Sequence, residues 1–159
     1  RRHTRYISVT GVQTCALPIF FRAAARLGQT QATVVEIARR LIFNLYAANN
    51  DDHGRNHAFL YDRESARWSL APAFDLTYAP GVLSRGLTIA GEVAPSAKTV
   101  SSFLRSAALE DATVRKLFAE VLDALVAWPR FAARAGVPGH ETAEIAATHA
   151  RLLAALGRP

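Results

Sequence analysis

Sulfur-containing residues and lysine are scarce in this sequence. Its 159 residues contain no methionine, one cysteine and two lysines, Lys98 and Lys116. A single cysteine cannot form a disulfide within the chain, so we expect a reducing compartment, the cytoplasm. No apolar run reaches the roughly 20 residues that a membrane-spanning helix needs. The sequence therefore predicts no association with a membrane.

The bulk composition is that of one globular domain. Half of the residues are hydrophobic and 20% are charged, which is enough for a single hydrophobic core. The formal net charge is +6. Taken alone, this charge favours weak binding of anions such as nucleic acid.

The first nineteen residues differ in composition from the rest of the chain, which is rich in Ala, Leu and Arg. The stretch VTGVQTCALPI, residues 9–19, resembles the translation of a common short-read sequencing adapter. RRHTR, residues 1–5, resembles the upstream half of the same oligonucleotide, and YIS lies where its variable index would fall. We therefore interpret residues 1–19 as an adapter-derived artefact. The alternative is a genuine strand that ends at Pro18.

This interpretation changes the charge and cysteine counts. Without Arg1, Arg2 and Arg5, Lys and Arg fall from 19 to 16 against 13 acidic residues, which lowers the net charge to about +3. The argument for nucleic-acid binding is then weak. Cys15 also leaves the count, and we expect the native protein to continue upstream of Phe20.

The remaining residues, 20–159, are predicted to form a mostly helical domain with one small β-hairpin. Thr33 and Glu36 have the spacing of a capping box at the start of the first predicted helix. Pro129 and Gly136 are expected to end helices. The predicted helices span about 34–48, 99–109, 111–128 and 141–156. HAFLYD and RWSLAP are predicted to form the hairpin, APAFDLTYAPG a loop, and LSRGLTIAGEV one further short strand.

The candidate chemistry lies in NNDDHGRNHAFLYDRESARWSLAPAFD, residues 49–75. Asp51 and Asn56 are five residues apart, and Asp75 follows the predicted hairpin. Phosphoryl transfer needs an acceptor for the proton of the attacking hydroxyl, together with oxygen ligands for Mg²⁺. Protein kinases place a catalytic Asp, an Asn five residues later and a second metal-binding Asp in this order. Arg55 is a candidate for neutralising charge on the phosphate.

Two other interpretations remain open on spacing alone. The first is a solvated polar loop whose Asp and Asn side chains cap neighbouring elements. The second is a metal-dependent hydrolase with Asp51, Asp52, His53 and His57 as ligands. No further histidine-rich motif supports the second interpretation. His140 and His149 lie in the terminal helical region, where we expect them to face solvent or caps.

The motifs of this segment resemble a known family. RRLIFNLYAANNDDHGRNHAFLYD, followed by WSLAPAFDLTYAP, is similar to the C-terminal lobe of HipA-type serine/threonine kinases, the toxin half of HipA–HipB toxin–antitoxin modules. The resemblance runs from Phe21 to about Leu156. The matching positions are Phe43, Asn44, Asn49, Asp51, Asp52, His53, Arg55, Asn56, Leu70, Pro72, Phe74 and Asp75.

The resemblance implies a role for each site residue. Asp51 would be the catalytic base, and Asn56 and Asp75 would bind Mg²⁺. His53 and Phe74 would lie beside the ATP nucleotide. Asp52 would support the loop geometry, and Arg55 stands where lysine is also common in the family.

The resemblance also implies a mainly α fold, that of a protein-kinase-like C-terminal lobe, and a set of partners. These are ATP, Mg²⁺, a protein substrate and a HipB-like antitoxin, with DNA contacted only through the antitoxin. Residues 20–159 contain no glycine-rich phosphate loop, and their two lysines lie far downstream of the motif. We therefore expect an N-terminally truncated, inactive kinase fragment. The alternatives are a lobe that only docks a partner and, third, a metal-dependent hydrolase.

Overall fold

The structure confirms the mainly α architecture. The computed structural model describes residues 5–8, 15–81, 87–89, 91–92 and 94–159, with residues up to 18 and residue 87 described by their backbone only. These stretches hold helices α1 to α6 and strands β1 to β5. The helices are Leu17–Arg26, Gln31–Tyr46, Ala97–Ser106, Asp111–Val126, Trp128–Arg134 and Gly139–Leu156, and the strands are Arg5–Ser8, Cys15–Ala16, Ala58–Asp62, Arg67–Leu70 and Leu87–Thr88.

Helix α2 is the central element because it packs against α1, α4 and α6. Its apolar residues recur at the helical period and form one buried face. This face and those of the neighbouring helices form the main core, in which Ile42, Val100, Leu104, Val114 and Phe118 are at most 1% exposed. The position of α2 matters for the candidate site, since the polar loop begins directly at its C-terminal end.

The predicted capping box at the start of α2 is wrong. The helix begins three residues earlier than the box requires, with Thr30 as the N-cap residue in extended conformation. Thr33 lies inside the first turn, where its hydroxyl donates to the side-chain oxygen of Gln29. Glu36 is bound instead to Arg39 and Arg40, so its carboxylate does not reach back to the helix start.

The predicted hairpin is confirmed as β3 and β4, which pair antiparallel with Phe59 opposite Leu70. The structure adds a third strand, because β1 pairs antiparallel with the other edge of β3. Strand β2 pairs in parallel with β5, which lies in the segment predicted to hold one short strand. Helix α1 was not predicted from the sequence, although its residues Phe20 and Ala24 are buried against Phe59.

The later helices follow the predicted order with shifted ends. Helix α3 begins two residues early because the Ser96 hydroxyl accepts a hydrogen bond from the Thr99 backbone amide, 3.2 Å long, and caps it. The cap of α4 is Glu110 and not Asp111. Pro129 lies in the first turn of α5, directly after α4 has ended. Gly136 has a φ of +72°, as a stop signal requires.

Candidate functional site

The polar loop begins where α2 unwinds. Ala48 adopts a left-handed conformation with φ +59°, which turns the chain away from the helix axis. Asn49 then donates from its backbone amide to the carbonyl oxygen of Asn44, with a length of 3.0 Å. The Asn49 side chain donates to the Asn44 side-chain oxygen at 3.2 Å. Both side chains are only 2% exposed, so the loop is anchored to the helix by two buried hydrogen bonds.

Asp51 and Asn56 form the second fixed point of the loop. The Asn56 side-chain amide nitrogen donates to the backbone carbonyl oxygen of Asp51, with a length of 3.0 Å. The residues between them include a short 3₁₀ turn, Gly54–Asn56, in which the Asn56 backbone amide donates to the carbonyl of His53. Asn56 is buried and Asp51 is exposed. The five-residue spacing therefore corresponds to a closed loop with one buried amide and one exposed carboxylate.

Asp75 reaches the same region through the hairpin. The loop after β4 is tied back to β3 because the Ala71 backbone amide donates to the Ala58 carbonyl at 2.9 Å. Asp75 has φ +56°, a left-handed conformation that Asp tolerates better than most residues do. Its carbonyl oxygen accepts a 3.5 Å hydrogen bond from the buried Asn49 side chain. Asn49 thus joins the loop that carries Asp75 to the end of α2.

A narrow cleft between these loops brings most of the predicted site residues together. Asn56, Phe74 and Asp75 all line it, although they come from two loops separated by the hairpin. Asp51 and His53 do not line it, and Asp51 is connected to it through the hydrogen bond to Asn56. The other lining residues are Arg40, Asn44, Asn49, His57, Ala73 and Leu76.

Arg40 supplies the positive charge of the cleft. Its Nε donates to Glu36 at 2.8 Å, and a terminal nitrogen donates to the carbonyl oxygen of Ala71 at 3.0 Å. Burial alone would raise the pKa of Glu36, but hydrogen bonds from Arg40 and Arg39 outweigh it and leave this pKa below its usual value. The Arg40 guanidinium is therefore held in place on the side of the cleft that faces α2.

Asp52 and His57 form a buried pair that the sequence analysis did not identify. His57 Nε2 lies 2.9 Å from an Asp52 carboxylate oxygen, and their side chains are 7% and 3% exposed. The His57 ring also packs against Phe20 of α1, with a centroid distance of 4.8 Å. The expected support of loop geometry by Asp52 therefore has a structural basis. Its partner His57 is packed against α1, a helix that was not predicted from the sequence.

The structure gives no support to the hydrolase interpretation. In the described stretches of the chain, no group of three or more His, Cys, Asp or Glu side chains could hold a metal ion. Two of the four proposed ligands, Asp52 and His57, are bound to each other instead.

Of the two histidines in the terminal helical region, one lies where the sequence predicted. The His140 side chain is exposed, as expected. His149 is buried, because its face of α6 packs against Trp128, with ring centroids 6.1 Å apart. Burial lowers the pKa of His149, and the carbonyl groups of Ala47 and Leu125 partly oppose this shift. His149 also lines an apolar cavity of about 350 Å³.

Membrane insertion was not expected from the sequence. None of the helices in the described part of the chain has both the length and the apolar character that a bilayer span requires.

Comparison with known structures shows a shared fold. The chain is similar to a chain of the HipA–HipB toxin–antitoxin system of Shewanella oneidensis MR-1, solved with its operator DNA. The TM-score is 0.68 and the sequence identity is 19%. The alignment covers 88% of this chain and 34% of that chain, so the present chain spans about one third of the similar one. No curated protein matches the chain.

The comparison with family models covers most of the chain. The model of the HipA-like C-terminal domain matches residues 5–129. This range begins inside residues 1–19, so the adapter interpretation of that stretch stays a prediction. It includes α2, the polar loop, the hairpin and the segment that carries Asp75. The chain therefore belongs to the family of HipA-like C-terminal domains.

Proposed function

We propose that this chain supplies the catalytic lobe of an ATP-dependent protein serine/threonine kinase of the HipA type. The observation that carries the proposal is the cleft, in which Asn56 and Asp75 meet from two separate loops. Asn56 is at the same time hydrogen-bonded to Asp51. One acid and two oxygen ligands in this order are what phosphoryl transfer requires.

The donor atoms of Asn56 and Asp75 suit Mg²⁺. Mg²⁺ prefers hard oxygen ligands, and proteins bind it with one or two carboxylates completed by water and phosphate. Because the Asn56 amide nitrogen donates to Asp51, the side chain has one defined orientation. Its Oδ1 accepts no hydrogen bond from the described residues. Asn56 Oδ1 and the Asp75 carboxylate would hold the ion, which neutralises phosphate charge when bound.

Asp51 is proposed to accept the proton of the substrate hydroxyl. Its exposed carboxylate can be reached by a serine or threonine of a protein substrate. Arg55 is also exposed and would pair with a phosphate oxygen. Phe74 lies on the cleft with 39% of its surface exposed, and we propose that it and His53 lie beside the nucleotide.

The 159 residues hold only part of the groups that phosphoryl transfer uses. Kinases cover the ATP phosphates with a glycine-rich loop and bind them with a lysine on a strand. The sequence has no such loop, and Lys98 and Lys116 lie on α3 and α4. We expect the chain alone to bind the metal ion without transferring phosphate.

The similar structure also suggests a partner. It contains HipA, HipB and operator DNA. We propose that a HipB-like antitoxin binds the protein to which this chain belongs and that DNA is contacted through this antitoxin. A cytoplasmic location is part of the same proposal. A lobe that only docks such a partner is the second candidate, and it predicts nucleotide binding without turnover in the product of the native gene.

Transfer of labelled phosphate from ATP to protein, measured on the product of the native gene, tests the proposal. Asp51→Asn should reduce the rate about 10²–10⁴-fold, the usual contribution of a general base. Asp123→Asn, an exposed acid on α4, is the matched control and should leave the rate unchanged. Equal rates for Asp51→Asn and the wild type would refute the role of Asp51. Absence of transfer in the wild type would favour the docking lobe.

A further inference from the structure

We propose that the buried Asp52–His57 pair positions the loop that holds Asp51 and Asn56 for metal binding, an inference that rests on the proposed function. In the sequence, Asp52 directly follows Asp51, and His57 directly follows Asn56. The hydrogen bond between Asp52 and His57 therefore closes a segment, residues 52–57, that overlaps the segment closed by Asp51 and Asn56. Neither residue lies among the proposed metal ligands.

Two cross-links close the segment from 51 to 57. The first joins the Asn56 side chain to the Asp51 carbonyl at 3.0 Å. The second joins His57 Nε2 to an Asp52 carboxylate oxygen at 2.9 Å. This second link is the more shielded from water, because the side chains of Asp52 and His57 are only 3% and 7% exposed. Hydrogen bonds to a charged group in such surroundings are strong and directional, so this link should determine the loop geometry.

Contacts outside the loop explain why the pair is held in one arrangement. The ring of Phe20 lies against the His57 ring at 4.8 Å and against the Phe59 ring at 5.3 Å. Helix α1 and strand β3 thereby fix the plane of the imidazole. His57 also lines the cleft beside Asn56 and Asp75. A displacement of its ring would therefore change the shape of the cleft at the proposed metal ligands.

A pair that positions the metal ligands and a pair that only stabilises the fold would have different effects on metal affinity when they are replaced. Residues that orient metal ligands through hydrogen bonds typically change metal affinity roughly 10–100-fold when they are replaced. A pair that served only to stabilise the fold would change the melting temperature and leave metal affinity unchanged in variants that remain folded. Metal affinity must therefore be measured together with stability, in variants that separate the two.

The test is a titration of the 159-residue chain with Mn²⁺ alone, followed by the loss of the free-ion signal in electron paramagnetic resonance. The site is defined as the binding lost in Asp75→Asn. His57→Phe keeps the contact with Phe20 but removes the hydrogen bond, and it should weaken this binding roughly 10–100-fold. His57→Gln retains a donor at a similar distance and should preserve most of the affinity.

A second variant keeps the test valid if His57→Phe fails to fold. His57→Phe leaves the Asp52 carboxylate buried without its partner, which destabilises a protein strongly. Asp52→Leu combined with His57→Phe replaces the pair by apolar side chains and should fold, as circular dichroism would show. We expect this double variant to bind Mn²⁺ as weakly as His57→Phe does, because the loop would no longer be held in position.

The outcomes separate the inference from the proposed function. Wild-type affinity in the folded double variant would overturn the positioning role and leave the metal site intact. Equal weakening by His57→Gln and His57→Phe would also overturn it, since the donor would then be irrelevant. Mn²⁺ binding that is the same in the wild type and in Asp75→Asn would instead contradict the proposed function.

Discussion

The side-chain amide of Asn56 donates a 3.0 Å hydrogen bond to the backbone carbonyl of Asp51, five residues earlier. This contact explains why the spacing matters. A five-residue separation allows the asparagine to close the loop with its nitrogen, and its side-chain oxygen stays available for another ligand. The exposed Asp51 carboxylate is held at the rim of the same loop.

Asp75 is expected to separate stability from metal binding. Its φ of +56° suits Asp and Asn but not β-branched residues. The unfolding free energy of Asp75→Asn should therefore lie within about 0.5 kcal/mol of the wild-type value, while its Mn²⁺ affinity falls. Asp75→Val should lose about 1–3 kcal/mol of unfolding free energy because of backbone strain. Urea denaturation followed by circular dichroism measures both changes, and equal stability of the two variants would contradict the strain argument.

Asn49 is expected to be important for stability because it joins the end of α2 to the loop that carries Asp75 and Thr77. Its amide donates to Asn44 and to the Asp75 carbonyl, and its oxygen accepts from Thr77. Asn49→Ala should cost about 1–3 kcal/mol of unfolding free energy, the penalty for leaving buried polar groups unpaired. Asn50→Ala is the control, since its hydrogen bond to Pro80 is exposed. A similar loss in both variants would show that burial of Asn49 is not the cause.

Alkaline pH should destabilise the protein through Tyr46. The Tyr46 hydroxyl donates to the Gly157 carbonyl at 2.7 Å, and burial raises its pKa from 10.0 to about 12. The folded state therefore keeps the proton more tightly than the unfolded state does. The stabilisation that Tyr46 contributes is fully present below pH 10 and is lost as the pH rises from 10 to 12. The loss is on the order of 2 kcal/mol.

Comparison with Tyr46→Phe isolates this effect from other titrating groups. The variant should be less stable at neutral pH by roughly 1 kcal/mol, because the hydrogen bond to Gly157 is missing. Its unfolding free energy should depend less on pH between 10 and 12. Parallel curves for the two proteins in this interval would rule out Tyr46 as the source of the alkaline loss.

Ala108 offers a stabilising substitution. It is exposed and has φ +62° after the end of α3, a conformation that costs an alanine about 1–2 kcal/mol. Ala108→Gly should raise the unfolding free energy by about 0.5–1 kcal/mol, once the entropy of glycine is counted. The neighbouring Ala107 has an ordinary φ of −87°, so Ala107→Gly should lower the unfolding free energy by a similar amount. Thermal unfolding of both variants tests this opposite pair of signs.

The local features of the site could be predicted from the sequence. The helix before the loop, the hairpin and the loop with Asp75 all follow from periodicity and turn residues, and the structure confirms them. Their order places Asp75 directly after a hairpin, and a hairpin returns the chain toward the loop that holds Asn56.

The contacts between distant elements could not be predicted. The packing of Phe20 on His57 depends on where α1 lies relative to the hairpin, which local patterns do not encode. The burial of His149 depends in the same way on Trp128, twenty-one residues earlier in the chain. The wrong cap for α2 has a different cause, because Thr30 and Thr33 are the same residue type three positions apart, and residue type alone does not distinguish them.

The metal site between Asn56 and Asp75 is the central feature of the proposed function. Crystals of the 159-residue chain soaked in Mn²⁺ and measured near the manganese absorption edge would locate the ion by its anomalous signal. We expect a peak bonded to Asn56 Oδ1 and to the Asp75 carboxylate. A strong peak elsewhere on the chain, with none between these two residues, would contradict the proposed metal site.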